Sequence, residues 1–328
     1  MRLHRRTLLA ATGLAAGAGT FARAETWPSR PLRMWVPFAP GGPMDIFGRP
    51  LAERLGETLG QTVVFENKPG ANGIVATHQV ATARPDGEML LFTTGSLIGN
   101  LAFSQQPLPY DPMKDVAPVS LVADGTGMML VGRPDLPASM AGIAELARRK
   151  PGGLSCAITG FGNITHLAAE QFKEFTGAEL LLVPLHGTGP SITEILAGNV
   201  DMTFSTVPPI LPFIRDGKLR AIGYTGRRRA LLVPEIPTMK EQGFAEWELI
   251  GMMGLWTTAG TPQARILKVQ RAVHDIVRAP ALAKLLREGE FEPQGSSPGE
   301  FAEYLQRELA MQLAIARRVG LASRGRAR

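Results

Sequence analysis

The chain has 328 residues, too many for one ordinary core and suited to two domains. Hydrophobic residues make up 45% and charged residues 20%, a globular composition that excludes bulk disorder. The formal net charge of +6 argues for an anionic partner only if the excess sits in the folded part of the chain.

Much of it does not. Residues 1–24 read as an export signal, with a basic start at Arg2, Arg5 and Arg6, a small-residue apolar run over 8–21, and a cleavage site after Ala24 in Ala22-Arg23-Ala24. Arg5-Arg6 before Thr7-Leu8-Leu9 also resembles a twin-arginine signal, and the residues do not separate that route from ordinary Sec export. Four of the 35 basic residues lie in this segment and no acid does, leaving 31 basic against 29 acidic residues. That near balance removes the case for a nucleic-acid partner. Arg227-Arg228-Arg229 and the tail residues Arg317, Arg318, Arg324, Arg326 and Arg328 read as solvated surface, because no aromatic or Gly-rich reader motif accompanies them. No later segment carries about 18 uninterrupted apolar residues, so no membrane span is expected in the mature chain. The single cysteine, Cys156, excludes an internal disulfide framework and reads as core.

In chain order, residues 32–38 alternate as far as Pro37 and read as a strand. Pro40-Gly41-Gly42-Pro43 turns into a helix over 44–59, with Phe47, Leu51, Leu55 and Leu59 on one face and Gly60 as its stop. A strand over 62–66, a loop over 67–73, a helix through Ala83 and a strand over 89–93 follow. This order predicts parallel strands with helices on the faces. After an apolar run at 128–131 the alternation restarts. Helices over 143–150, 164–175 and 190–197 are interleaved with strands at 155–159, 180–184, 200–205 and 219–225. A strand over 251–257 and long helices over 263–277 and 298–318 complete the chain. Two successive α/β units predict two lobes with a groove between them. Ligands of open parallel sheets bind beyond the carboxyl ends of the strands.

Five loops therefore matter. In Pro40-Gly41-Gly42-Pro43-Met44-Asp45, adjacent glycines let backbone N–H groups approach a ligand, and the helix start favours an anion. The same residues also make a plain turn with Asp45 as a helix-dipole partner, and the loop alone does not decide. No Gly-Lys-Ser/Thr or dinucleotide fingerprint follows. Thr93-Thr94-Gly95-Ser96 offers either ligand hydroxyls or ordinary turn chemistry. In 160–166, Asn163 or Thr165 can cap a helix, while His166 is a ligand contact or a packed helix-start histidine. His186-Gly187-Thr188-Gly189-Pro190 opens another helix. Asp201, at a strand start, can take a ligand amino group or serve a structural hydrogen bond.

Catalysis finds little support. There is no Gly-x-Ser-x-Gly elbow, and His4, His78, His166, His186 and His274 form no metal pair at i, i+4. No metal or cofactor is expected. A Ser/His/Asp triad assembled in space stays open.

Several motifs recur in order: Trp27-Pro28-Ser29-Arg30-Pro31, Val36-Pro37-Phe38-Ala39-Pro40-Gly41-Gly42-Pro43-Met44-Asp45, Glu66-Asn67-Lys68-Pro69-Gly70-Ala71-Asn72-Gly73, Tyr110-Asp111-Pro112, Val183-Pro184-Leu185-His186-Gly187, Gly198-Asn199-Val200-Asp201 and Ala259-Gly260-Thr261-Pro262. With their neighbours they resemble the substrate-binding proteins of tripartite tricarboxylate transporters, the Bug family, over about residues 27–320. The resemblance implies an α/β, type II periplasmic-binding-protein-like fold, with two lobes joined by strands crossing near 124–130 and 249–257. Lobe 1 would take 25–125 and, with the C-terminal helices, 249–328; lobe 2 would take 126–248. It also implies a small carboxylate ligand: a dicarboxylate, tricarboxylate, acidic amino acid or aromatic acid.

The matching ligand positions are Phe38, Pro40, Gly42, Pro43, Met44, Asp45, Thr94 and Ser96 on one lobe. On the other they are Gly162, Asn163, Thr165, Gly187, Thr188, Asp201 and Thr206; Gly41 and His166 complete the expected set. Pro43 and Met44 stand where the family usually carries Ser, Gly or Thr, removing a backbone donor and a hydroxyl. Leu185-His186 replaces a usual Tyr-Lys, and Asn72 replaces a glycine. Met44 and Phe161 would suit a more apolar or aromatic acid. The function implied is that of a monomeric periplasmic receptor that closes on its ligand and presents it to a membrane permease. A ligand sensor for a signalling kinase has the same binding chemistry and is the alternative. An exported hydrolase using Ser96 or Ser191 is the third reading.

Overall fold

The computed structural model describes residues 27–104 and 106–318. The export-signal reading and the end of the basic tail lie outside them. The chain opens with β1 (Leu32–Val36), α1 (Pro43–Leu59), β2 (Val63–Asn67), α2 (Ile74–Ala81), β3 (Met89–Thr94), α3 (Ser96–Phe103) and β4 (Val116–Gly127). It continues through β5 (Met129–Gly132), α4 (Met140–Arg149), β6 (Leu154–Ile158), α5 (Ile164–Thr176), β7 (Leu180–Pro184), α6 (Thr188–Leu196), β8 (Met202–Ser205), α7 (Val207–Arg215) and β9 (Arg220–Tyr224). It ends with β10 (Ile250–Thr258), α8 (Gln263–Arg278), α9 (Pro280–Glu288), β11 (Glu292–Pro293) and α10 (Pro298–Arg318).

Two sheets result, ordered β11-β4-β10-β3-β1-β2 and β7-β6-β8-β5-β9. Each forms the centre of one α/β lobe. β1 pairs in parallel with β2 and β3, as the alternation predicts. Both sheets are nevertheless mixed. β10 inserts antiparallel between β3 and β4, and β5 runs antiparallel to β8 and β9. The strands that break the parallel rule are those that carry the chain between lobes. β4 leads through Met128 directly into β5, and β10 brings the chain back.

Packing follows the sequence periodicity. Phe47, Leu51, Leu55 and Leu59 are buried along one face of α1, each worth roughly 2 kcal/mol relative to exposure. They join Leu32, Met34 and Val36 of β1 and Val269, Val273 and Val277 of α8 in the first core. In the second lobe, Trp247 is surrounded by Phe172, Phe175, Phe204 and Phe244. Cys156 is buried there, and burial pushes its thiol up to about 12, so it stays an unreactive apolar group.

The two crossings are tied together. Gly127 N–H donates to Tyr224 Oη at 2.8 Å, Met128 N–H donates to Thr225 Oγ1 at 2.8 Å, and that hydroxyl donates to Leu249 O at 2.7 Å. The crossing region is therefore a built joint rather than a loose linker.

Candidate ligand-binding site

A cavity of about 960 Å³, part of it open to solvent, is lined from both lobes. On the first lobe, Phe38, Gly42, Pro43 and Met44 reach it from the turn between β1 and α1. Thr94, Gly95 and Ser96 reach it from the turn between β3 and α3. Gly42 caps α1 in extended conformation with no side-chain bond, and Pro43 occupies its first turn. Proline has no N–H, so the donor that serine or glycine would supply there is missing, while the Met44 N–H remains unspent by the helix.

Three expected residues of this turn sit behind the lining. Asp45 is used up internally: its Oδ2 accepts from Gly41 N at 2.5 Å and its Oδ1 from Asn67 Nδ2 at 3.1 Å and Arg49 at 3.2 Å. Gly41 is left-handed (φ 89°), which lets it point its N–H back at that carboxylate rather than into the cavity. Pro40 lies against the opposite lobe: a Cβ on Gly189 would come 2.6 Å from its carbonyl oxygen.

On the second lobe, Thr159, Gly162, Asn163, Thr165, Gly187, Thr188 and Thr206 line the cavity. Asn163 caps α5 by accepting from Thr165 N at 3.2 Å, and Thr165 Oγ1 accepts from Thr159 N at 2.9 Å. Thr206 is different. Its hydroxyl is buried in the lining and has no hydrogen-bond partner among the described residues.

Two further expected residues lie outside the lining. His166 does not line the cavity; its Nδ1 accepts from Gly162 N at 3.1 Å, which leaves the ring proton of the neutral form on Nε2, 3.5 Å from Glu170. It braces the 160–163 turn. Asp201 is also absent from the lining. It precedes β8, which runs parallel to β6, so it lies at the amino end of those strands and beside Ser155. Lys150 Nζ at 2.5 Å, Arg133 at 3.2 Å, and Ser155 N and Oγ at 2.8 and 2.9 Å surround its carboxylate. Burial pushes this carboxyl up, but those partners outweigh it and hold it below the usual range.

Phe161 is exposed, set edge-on to His166, and is not part of the lining; Met44 is buried and lines it. Sequence reasoning missed the floor on β10, with Met252 and Met253, and a wall on α10, with Glu308, Met311, Gln312 and Ile315. The 298–318 helix is legible, but nothing local marks which of its faces meets the cavity. Among the described residues no Lys, Arg or His lines it. Ser191, one of the two serines of the hydrolase reading, donates its hydroxyl to Gly187 O at 3.0 Å.

The lobes meet across the opening. Ala39 N donates to His186 O at 2.9 Å, and Asn72 Nδ2 donates to Phe161 O at 2.8 Å. Asn163 Nδ2 donates to Asn72 Oδ1 at 3.3 Å, and Asn72 O accepts from Asn100 at 3.1 Å. Asn72 is left-handed (φ 52°), a conformation glycine takes freely and asparagine tolerates.

Comparison with known proteins places the chain in a family and a fold. The model of the tripartite tricarboxylate transporter family receptor matches residues 47–321. The chain is 31% identical to Protein BugT of Bordetella pertussis over 318 residues, covering 95% of this chain and 97% of that one. It superposes on the periplasmic binding protein BugD with a TM-score of 0.86 at 30% identity, covering 91% and 100% of the two chains. It superposes equally, at 0.86 and 29% identity, on Rpa4515 of R. palustris with adipate, covering 90% and 99%.

Proposed function

The chain belongs to the tripartite tricarboxylate transporter receptor family, which comprises periplasmic solute-binding proteins and not enzymes, and on that premise we propose that it captures a small carboxylate by lobe closure and presents it to a membrane transporter. The observation that carries this reading is the convergence of helix starts from both lobes on one cavity that holds no basic side chain among the described residues. Unpaired N–H groups and the positive ends of helix dipoles can hold an anion without a counter-cation. The Thr206 hydroxyl adds a free donor. Rpa4515, a similar protein, is solved with adipate, a dicarboxylate.

In the proposed cycle the acid docks first on the starts of α1 and α3. Closure about the β4–β5 and β10 crossings then adds Gly187, Thr188 and Thr206 and expels water. Only the ligand's extra affinity for the closed arrangement drives that step. No helix among the described residues is long and apolar enough to cross a membrane, so the transporter would be a separate protein. The segment 1–24, cleaved after Ala24, would direct export.

Calorimetry with adipate, succinate and benzoate, each beside its neutral amide, tests this. At least one acid is expected to bind one-to-one, and its amide about a hundredfold more weakly, since charge-assisted hydrogen bonds are lost. Amides that bind as tightly as their acids would overturn the anion reading.

Asn72→Gly gives a second expected result. Glycine keeps the left-handed backbone and removes the side-chain bonds across the opening. Affinity should fall about fivefold, equivalent to about 1 kcal/mol for a net neutral hydrogen bond, and the ligand-free protein should melt about 2 °C lower, because the Asn72 Nδ2 to Asn100 Oδ1 bond within the first lobe is lost as well. Titration of both proteins with the same acid reads it.

A further inference from the structure

We infer that Glu308 and Gln312 on α10 form a second recognition point in this cavity, one that reads a hydrogen-bond donor, an amino or hydroxyl group, on the part of the ligand remote from its carboxylate and selects against a second carboxylate there. The inference rests on the carboxylate reading above and specifies which acids the cavity admits.

Both residues belong to the lining. Gln312 is buried, and its Nε2 donates to Glu308 Oε1 at 2.7 Å. A carboxylate oxygen accepts, so the amide must turn its NH2 toward Glu308, which fixes the amide orientation. Gln312 Oε1 is then the atom left over, and it is buried with no partner. Glu308 is partly exposed, and among the described residues only its Oε1 is in a hydrogen bond. This corner of the cavity thus presents an unpaired amide oxygen and an anionic carboxylate, with the second N–H of the Gln312 amide beside them.

Its charge has the same sense. No cation among the described lining residues faces Glu308, and Asp124 of β4 adds negative potential there. Burial pushes the Glu308 carboxyl up, as expected of a desolvated acid that lacks a cationic partner. A ligand N–H or O–H would give the buried Gln312 oxygen a donor beside the Glu308 carboxylate, whereas a carboxylate would meet that oxygen and a repulsive field. Met252, Met311 and Ile315 beside them offer apolar contact to the body of the molecule. The ligand's own carboxylate is repelled from Glu308 and drawn to the helix starts, which orients the molecule.

The test is calorimetry on the full chain with caproate, ε-hydroxycaproate, ε-aminocaproate and adipate, and with butyrate, γ-hydroxybutyrate, γ-aminobutyrate and succinate. In one series or both, a hydroxy or amino acid is expected to bind at least about tenfold more tightly than the plain acid and the diacid. Glu308→Gln should then cut the amino acid's advantage about tenfold and improve binding of the diacid. Whichever of the hydroxy and amino acids binds wild type more tightly identifies the recognised group, and in this variant the amino acid should lose more than the hydroxy acid, because the new amide oxygen still accepts from O–H but no longer attracts a charge. Gln312→Leu, which removes the other acceptor, should lower the same preference and serves if Glu308→Gln does not fold. A diacid that binds best, with an order unchanged in either variant, would overturn this inference and leave the carboxylate reading standing. Failure of all eight acids and of benzoate to bind would overturn both.

Discussion

Replacing Gly99 by alanine is expected to weaken carboxylate binding about thirtyfold while the melting temperature of the ligand-free protein stays level or rises. Gly99 lies in α3 of the first lobe, and Gly162 lies in the turn after β6 of the second. A methyl group on Gly99 would overlap the Gly162 carbonyl oxygen and come 3.1 Å from Gln312 Oε1. The reverse holds too, since a Cβ on Gly162 would stand 3.1 Å from Gly99 O and 3.2 Å from Phe103 Cβ. The lobes thus close backbone to backbone at this point, and neither side has a flexible side chain that could yield. Overpacking of this kind costs about 2 kcal/mol, or about thirtyfold in affinity, and it is charged to the closed state alone. With the lobes apart, the same substitution replaces glycine by a better helix former, worth up to about 1 kcal/mol in the opposite direction, and only the end of the Gln312 side chain on neighbouring α10 has to give way. Calorimetry and thermal melts of both proteins separate the effects. Unchanged affinity would mean that the ligand-bound form keeps α3 away from the 160–163 turn. A lower melting temperature without ligand would mean that the contact also holds the unliganded fold together.

The sequence is most readable where a local pattern is also the structural cause. The stripe Phe47, Leu51, Leu55, Leu59 gives α1 because every fourth residue meets the sheet. The glycine-containing turns after strands are visible for the same reason, since strand direction and helix start are local facts. α7 is not visible in this way: Pro208, Pro209 and Pro212 argue against a helix until the first two are placed at its first turn, where no N–H is needed. The mixed sheets were also beyond local reading. β10 pairs with β3 across about 160 residues of chain, and its direction depends on the crossing, not on its own sequence. The same long return carries α10 to the cavity, which is why Glu308, Met311 and Gln312 escaped notice. Asp45, His166 and Asp201 show the converse limit. Each lies within a motif that touches the site, and each spends its polar atoms on neighbours that only the folded chain reveals.

Asp201 also marks where the largest loss of stability is expected. Asp201→Ala should destabilise the protein by about 3 kcal/mol, in the range for breaking a buried ion pair from one side, with a fall of about 6 °C in melting temperature. The carboxylate is nearly buried and joins four segments: Arg133 after β5, Lys150 after α4, Ser155 of β6 and its own strand start. Without it, Arg133 is left half-buried with no anion in reach beyond exposed Asp135, and the Ser155 N–H loses its acceptor. Lys150 is open enough to solvent to lose little, which sets the expectation at the low end of the range. The pH dependence has a definite sign. A carboxyl held below its ordinary value in the folded state contributes stability that is fully present above the unfolded pKa of about 4 and is lost as pH falls through the folded value. The gap between wild type and variant should therefore be constant around neutral pH and narrow on acidification below about pH 4. Denaturant melts across that range measure it, and a gap of constant size would show that packing, not charge, is what Asp201 supplies. Ligand affinity separates the two roles once proposed for this residue. It should be unchanged, because the carboxylate stands at the amino ends of strands whose carboxyl ends form the cavity. If affinity fell with stability intact, Asp201 would act on the ligand after all, and the cavity described here would not be where the acid is held.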